Sequence, residues 1–347
     1  MPIPSARHES RRGEGGVSDL GIDLGTANTV VYDLARDVVF DEPSVLLRRR
    51  RGGRGGGIVA IGREAAELLG RVPAGVVATR PLQDGVITDL DTARSYLRAV
   101  VRRATPNPWQ RTRVRVAIGV PSGATDLERR ALLAAADEAG MHRATAIDEP
   151  IAGALGCGID PMDRRAHMVV DVGGGTAEAT AFCYGGVLTS RSCRVAGDEM
   201  TVALFRYLRE HHQLVVGERT TEEIKIRMGI VTEPSLVVPG LDAGTGHARL
   251  LTIPVAEMAE VIRPIMEEII QTLAAALHDL PPDAASDILA DGVVAFGGAS
   301  LTRDFDQRLE KALGFPVKKA EAPLTCVAEG AALSLSAPGV LDAFGWR

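Results

Sequence analysis

Two hydrophobic periods take turns along the chain. From Leu20 the pattern is that of strands: "LGIDL", a turn at "GTAN", then "TVVYDL" and a further strand pair ending "PSVLL". An Arg/Gly stretch at 48–57, "RRRRGGRGGG", interrupts this, and strand character resumes at "IVAIG". Residues 91–104 switch to a helical period, with Tyr96, Leu97, Val100 and Val101 on one face and Arg94, Arg98, Arg102 and Arg103 on the rest. The segment from Arg113 to Met141 predicts strand, turn and helix, and Thr125 with Glu128 has the spacing of a capping box. After a short strand "ATAI", Pro150 suits the first position of a helix, where its missing N–H needs no partner; Asp148 and Glu149 then fall at the cap.

The second half repeats the plan. Strands across 166–195 precede helices at "EMTVALFRYLREHH" and "TTEEIKIRMG", and residues 231–253 are Gly/Pro-spaced and strand-like. A long helix is predicted over 255–279, with Pro264 expected to kink it or break it in two. The chain closes with strand "GVVAFGG", helix "LTRDFDQRLEKAL", strand "PVKKA" and a small-residue helix "CVAEGAALSL".

The chemistry sits where strands stop. "DVGGGT" at 171–176 and "DLGTAN" at 23–28 each follow an apolar strand and lead into another strand, about one domain's length apart, which points to an internal duplication. In each, glycines let backbone N–H groups approach phosphate oxygens, and the hydroxyl of Thr26 or Thr176 adds a hydrogen bond. Asp23 and Asp171 are placed to hold a hydrated Mg²⁺, which prefers one or two carboxylates plus phosphate oxygens. There is no P-loop motif, and turns leading into strands are not a Rossmann fingerprint. A third glycine turn, "VVAFGGAS", fits the adenine and ribose side, and Glu222, Glu223 or Lys225 of "TTEEIK" is a candidate for the ribose or base; alone, that run is a solvated helix face.

Composition narrows the class. With 347 residues, 46% hydrophobic and 24% charged, two globular domains are expected. A net charge of −6 argues against a nucleic-acid partner. Cys157, Cys183, Cys193 and Cys326 show no metal-finger spacing and no CxxC pair, which fits a reducing cytosol without disulfides. Residues 1–19 lack the apolar core of a secretory signal and are expected as a disordered polar tail, a membrane or partner arm being the sharper alternative. The Arg/Gly insert is expected as a solvated hairpin tip. Trp109, in the Pro-rich loop "TPNPWQRTR", is either a surface aromatic packed on its own domain or an anchor at a bilayer interface.

Ten blocks in order, from "GIDLGTANT", "EPSV" and "RPLQDGVITD" through "IGVPSGATDLERRA", "IDEPIAGALG", "VVDVGGGTAE", "RVAGDEM" and "GERTTEEIK" to "GGASL" and "PLTCVAEG", resemble the MreB and Mbl family of bacterial actin homologues, from about Leu20 to Ser336. The resemblance implies an α/β, actin-like (ribonuclease H-like, duplicated) two-domain ATPase fold with ATP and Mg²⁺ in a cleft. Domain I would span 20–160, including a small subdomain with the insert, and domain II 161–336, with a small subdomain at about 218–255; 337–347 would be a C-terminal tail. It further implies filaments of the protein with itself, at the inner face of the cytoplasmic membrane, organising the cell-wall elongation machinery and cell shape. Membrane attachment would rest on the Trp109 loop.

Residue by residue, the resemblance assigns Asp23 and Asp171 to the metal, and Thr26, Ala27, Asn28, Gly173, Gly174, Gly175 and Thr176 to the phosphates. Glu149 would help to activate the attacking water, with Thr176 beside it, in a weak ATPase coupled to polymerisation. Glu222, Glu223, Lys225, Gly297, Gly298, Ala299 and Ser300 would form the nucleoside pocket. The sequence departs from the family at Ala177, which replaces a threonine, at Ala299, which replaces a glycine, and at Phe296, where a smaller residue is usual. These departures leave room for a hydrolysis-poor protein that co-assembles with a more active MreB paralogue. A same-fold phosphotransferase such as a sugar kinase is the remaining alternative, although no motif supplies its second-substrate base.

Overall fold

The computed structural model describes residues 18–50, 57–111, 113–230 and 232–346; the tail as far as residue 17 and residues 51–56 of the Arg/Gly insert lie outside them. Two sheets of one design organise the chain. In the first, β1 (Asp19–Leu24), β2 (Asn28–Asp33) and β3 (Asp37–Pro43) run antiparallel. On the other side of β1, β4 (Arg115–Val120) and then β5 (Ala144–Asp148) add in parallel. In the second, β6 (His167–Val172), β7 (Ala177–Cys183) and β8 (Gly186–Cys193) are antiparallel, and β9 (Val293–Phe296) and β10 (Val317–Lys319) add in parallel to β6. The order 3-2-1-4-5 thus occurs twice, and Asp23 and Asp171 are both the fifth residue of their first strand.

Helices form where the pattern predicts. In α1 (Leu90–Ala104), Tyr96, Leu97, Val100 and Val101 are all buried, and Asp89 caps the start by accepting from the Thr92 N–H. The helix α2 (Asp126–Glu138) begins with the complete Thr125–Glu128 capping box, and α3 (Glu149–Gly156) begins with Asp148 at the cap and Pro150 in its first turn. Beyond β8 come α4 (Gly197–His212) and α5 (Glu218–Ile230). Three short strands, 214–215, 235–242 and 248–254, form a small sheet near α5. Pro264 does not break the long helix: α6 (Val255–Ala274) runs through it and ends in a 3₁₀ turn. The strands 46–49 and 58–61 pair antiparallel, so the insert joins two arms of a hairpin.

The C-terminal segment departs from expectation. Helix α7 (Cys326–Ser334) returns to the first sheet and packs on β1, so closely that a Cβ at Gly21 would collide with the Ala328 backbone. The expected tail continues as α8 (Pro338–Phe344) and β11 (Gly345–Trp346), which pairs antiparallel with β5 and becomes the edge of the first sheet. Arg129 of α2 lies over the Trp346 ring, 4.6 Å from its centre, and also pairs with Asp148. A run of small residues gives α7 no apolar stripe to read, and an aromatic beside glycine two residues from a terminus gives β11 too little length.

Apolar burial follows the duplication. One core lies under the first sheet, around Ile22, Tyr96 and Ile118, and another under the second, around Met168, Leu204 and Ile269. A third joins them through α3 and α7, with Ile151, Val169, Phe182, Phe296 and Val327. The four cysteines are free thiols. Among the described residues no helix is long and apolar enough to cross a membrane.

Candidate functional site

The ends of β1 and β6 open on one cleft between the two sheets. It contains about 850 Å³ of space, open solvent at its mouth included. Leu24 to Asn28 line one wall and Gly173 to Thr176 the other, while Asp23, Asp41, Glu149 and Asp171 form the floor with Gly297 and Gly298 at one side. The two glycine turns face each other at contact distance: a Cβ at Gly174 would lie 3.0 Å from Ala27 Cβ, and one at Gly175 2.6 Å from Thr26 Oγ1. Only glycine lets the walls approach that far.

Each acid on the floor has a distinct cause. In the first sheet Asp23 stands opposite Val30, and Val30 opposite Asp41, so two carboxylates lie in one row across three strands. Burial, then the charge of Asp41, pushes Asp23 up to about 7. Burial, then Asp23 and Glu178, holds Asp171 well above the carboxylate range. Burial followed by Asp23, Asp171 and Glu178 does the same to Glu149. Gly119 makes room for that side chain, since a Cβ there would lie 3.1 Å from Glu149 Cγ. The neighbouring Asp148 is occupied elsewhere, bonded to the buried Arg129, so of the pair at the head of α3 only Glu149 faces the cleft.

No lysine or arginine lines this floor among the described residues, and no group of three or more His, Cys, Asp or Glu side chains stands ready to hold a metal ion unaided. A floor of mutually repelling carboxylates without a cation fits a hydrated Mg²⁺ shared between one or two carboxylates and phosphate oxygens. Asp23 and Asp171 are the residues that would hold it, and the glycine turns above them are the donors a polyphosphate needs.

Of the third turn, Gly297 and Gly298 line the cleft. Gly297, at φ +84°, sits directly over Asp171, where any side chain would strike the carboxylate. Ser300 is buried and donates to the Gly297 carbonyl at 2.7 Å, which stabilises the turn instead of facing the cleft. Ala299 and Ala177 are buried in the core of the second domain, and neither lines the cleft. Phe296 is buried too, in the cluster between the sheets. On α5, Lys225 Nζ donates to the Gly197 carbonyl at 2.8 Å and pairs with Glu222 at 2.8 Å, while Glu223 pairs with Arg219 on the exposed face. These three stand beside the cleft, not in its lining.

Sequence reasoning missed the Asp84–Gly85 turn. It joins strands 82–83 and 86–87 with positive φ at both residues, and Gly85 N–H donates to Thr26 Oγ1 at 3.2 Å while a Cβ at Gly85 would lie 3.0 Å from Thr176 Cγ2. An Asp-Gly pair between short apolar runs is a hairpin signal that marks it. Asp41 and the Pro323, Leu324 and Val327 wall were also missed.

The chain is similar to known proteins in sequence and in fold. Residues 17–341 match the family model described as MreB/Mbl protein. The chain is 38% identical to the cell shape-determining protein MreB of Escherichia coli (strain K12), over 92% of this chain and 93% of that one. It is 33% identical to the cell shape-determining protein Mbl of Bacillus subtilis (strain 168), over 91% and 95%. Its fold matches that of MreB5 of Spiroplasma citri, solved with AMPPNP, with a TM-score of 0.84 and 28% identity over 94% of this chain and 98% of that one. MamK, solved as a double helical filament, has the same actin-like fold, with a TM-score of 0.73 and 24% identity over 91% and 98%.

Proposed function

The chain belongs to the MreB/Mbl family, and on that premise we propose that it is a cell shape-determining cytoskeletal protein that binds ATP with Mg²⁺ and assembles into filaments. The observation that carries this is the facing pair of glycine turns, each above its own strand-ending aspartate, in one cleft. A triphosphate would lie in the cleft that the two turns line, where backbone N–H groups and the hydroxyls of Thr26 and Thr176 replace the basic side chains that the lining lacks. The relative solved with AMPPNP supports a nucleotide in this cleft.

Bound Mg²⁺ would neutralise charge developing on the phosphates. Glu149 orients the attacking water and takes its proton. No covalent intermediate is required, since phosphoryl transfer depends on positioning and electrostatics. Assembly is with copies of itself or an MreB paralogue. Filaments would lie at the membrane through the Trp109 helix, 108–111, whose indole is 83% exposed, and would organise cell-wall synthesis there.

The test is ATP-dependent pelleting at several protein concentrations, with phosphate release followed in the same tubes, for wild type and Glu149→Ala. Pelleting above a critical concentration with phosphate release lost in the variant is expected. No pelleting with any nucleotide would overturn self-assembly, and unchanged release in the variant would overturn the role of Glu149.

A further inference from the structure

We infer that Ser44, backed by Thr29 and Tyr96, is the positioning residue that holds the first phosphate turn in its binding conformation; the inference rests on the nucleotide reading above. All three side chains are buried and none lines the cleft. Ser44 Oγ donates to the Gly25 carbonyl at 2.6 Å, and Ser44 N–H donates to the Ala27 carbonyl at 2.8 Å. Thr29 Oγ1 lies 2.8 Å from Ser44 Oγ, and Tyr96 Oη lies 3.1 Å from Thr29 Oγ1.

Proton counting fixes the direction of this chain. A serine hydroxyl has one hydrogen to give, and a carbonyl has none. With the Ser44 hydrogen on the Gly25 carbonyl, Thr29 must donate to Ser44, and Tyr96, whose other acceptor is the Pro43 carbonyl at 3.3 Å, donates to Thr29 over the shorter distance of 3.1 Å. The relay therefore runs one way, from the middle of α1 to the turn.

Its effect on the turn follows from peptide geometry. In a trans peptide the C=O and the next N–H point in opposite directions. Drawing the carbonyls of Gly25 and Ala27 back toward Ser44, behind the cleft wall, turns the N–H groups of Thr26 and Asn28 the other way. Those are the groups a phosphate would meet.

The second domain does the same job with different atoms. After β8, the N–H groups of Gly197 and Asp198 at the start of α4 donate to the carbonyls of Gly173 and Gly174, at 3.2 and 2.8 Å. In both halves, residues following the third strand pull back two carbonyls of the glycine turn. Domain II uses a helix start; domain I, with no helix there, uses one serine and its relay.

The experiment is calorimetric titration of the full-length protein with ATP and with adenosine, for wild type, Ser44→Ala, Thr29→Val and Tyr96→Phe. Ser44→Ala leaves a carbonyl and a hydroxyl unsatisfied, so it should weaken ATP about tenfold or more and adenosine by less than about twofold; Thr29→Val, nearly isosteric, should fall between it and wild type. ATP binding like wild type in both Ser44→Ala and Thr29→Val would overturn the inference. So would equal losses for ATP and adenosine, which a merely structural role produces. If the wild type itself binds no ATP, the nucleotide reading falls instead.

Discussion

The ring of Phe296 occupies the place where a side chain at Gly153 would begin. A Cβ on that glycine would lie inside the van der Waals envelope of three ring carbons, and both residues belong to the contact between α3 and the second sheet. The bulky residue before the third glycine turn is thus matched by an absent one across the domain boundary.

Gly153→Ala should therefore destabilise the protein by about 1–3 kcal/mol through overpacking, although alanine favours helix. Phe296→Leu alone should also destabilise, and the double variant should be more stable than the sum of the two losses. Urea unfolding of the four proteins measures this. Strict additivity would show that the two positions do not share the space.

A second expectation concerns pH. Glu178 of β7 crosses to the first domain, accepting from Ser122 N–H at 3.0 Å, and burial raises its proton affinity against the opposing pull of those bonds. Folded protein then keeps a proton that the unfolded chain releases, so this contribution to stability is complete below the ordinary value of 4.5 and is lost as pH rises through the raised one. Glu178→Gln should flatten the fall in urea midpoint as pH rises above 4.5. An unchanged slope would assign that fall to other carboxylates.

Arg80 bridges the first glycine turn and the second domain. Its guanidinium donates to the Thr26 carbonyl at 3.4 Å and to Glu218 of the second domain at 2.8 Å. Because both side chains are more than a third exposed, Glu218→Ala should change stability by less than about 1 kcal/mol. Nucleotide release, followed by stopped flow, should nevertheless accelerate a few-fold at low salt, with the difference from wild type vanishing at high salt. Equal release rates at low salt would remove the bridge from nucleotide retention.

The exposed Trp109 gives a fourth. Trp109→Ala should weaken co-sedimentation with anionic liposomes, by about tenfold if the indole enters the interface. Undiminished co-sedimentation would leave the loop without a role at the membrane.

The readable parts of this fold are those whose cause is local. Strand-ending Asp23 and Asp171 precede glycines that need no distant partner to be recognised, and the Thr125–Glu128 box and Pro150 mark their helices within four residues. Spacing alone leaves Asp148 and Glu149 together at the cap, and only the family resemblance points to Glu149, because Arg129 lies 19 positions away from the carboxylate it occupies. Ser44 was hidden for the same reason: its relay joins residues 15 and 67 positions apart. Lys225, read as a nucleoside-pocket residue, is held at 2.8 Å both by Glu222 and by the Gly197 carbonyl, and the second partner lies 28 positions back. The return of α7 was hidden too, because the contact is made by backbone: side chains at Gly156 and Gly330 would collide with the main chain of Cys326 and Ala152.

That last crossing has a mechanical consequence. Two helices touching main chain to main chain have no rotamers between them with which to absorb a twist. Torque applied where Glu149 meets the cleft passes along α3 into α7 without the slack that interleaved side chains would give, and α7 is joined through α8 to the edge strand at Gly345 and Trp346. Any rotation of this pair would carry the far rim of the first sheet with it, as an axle carries its wheel.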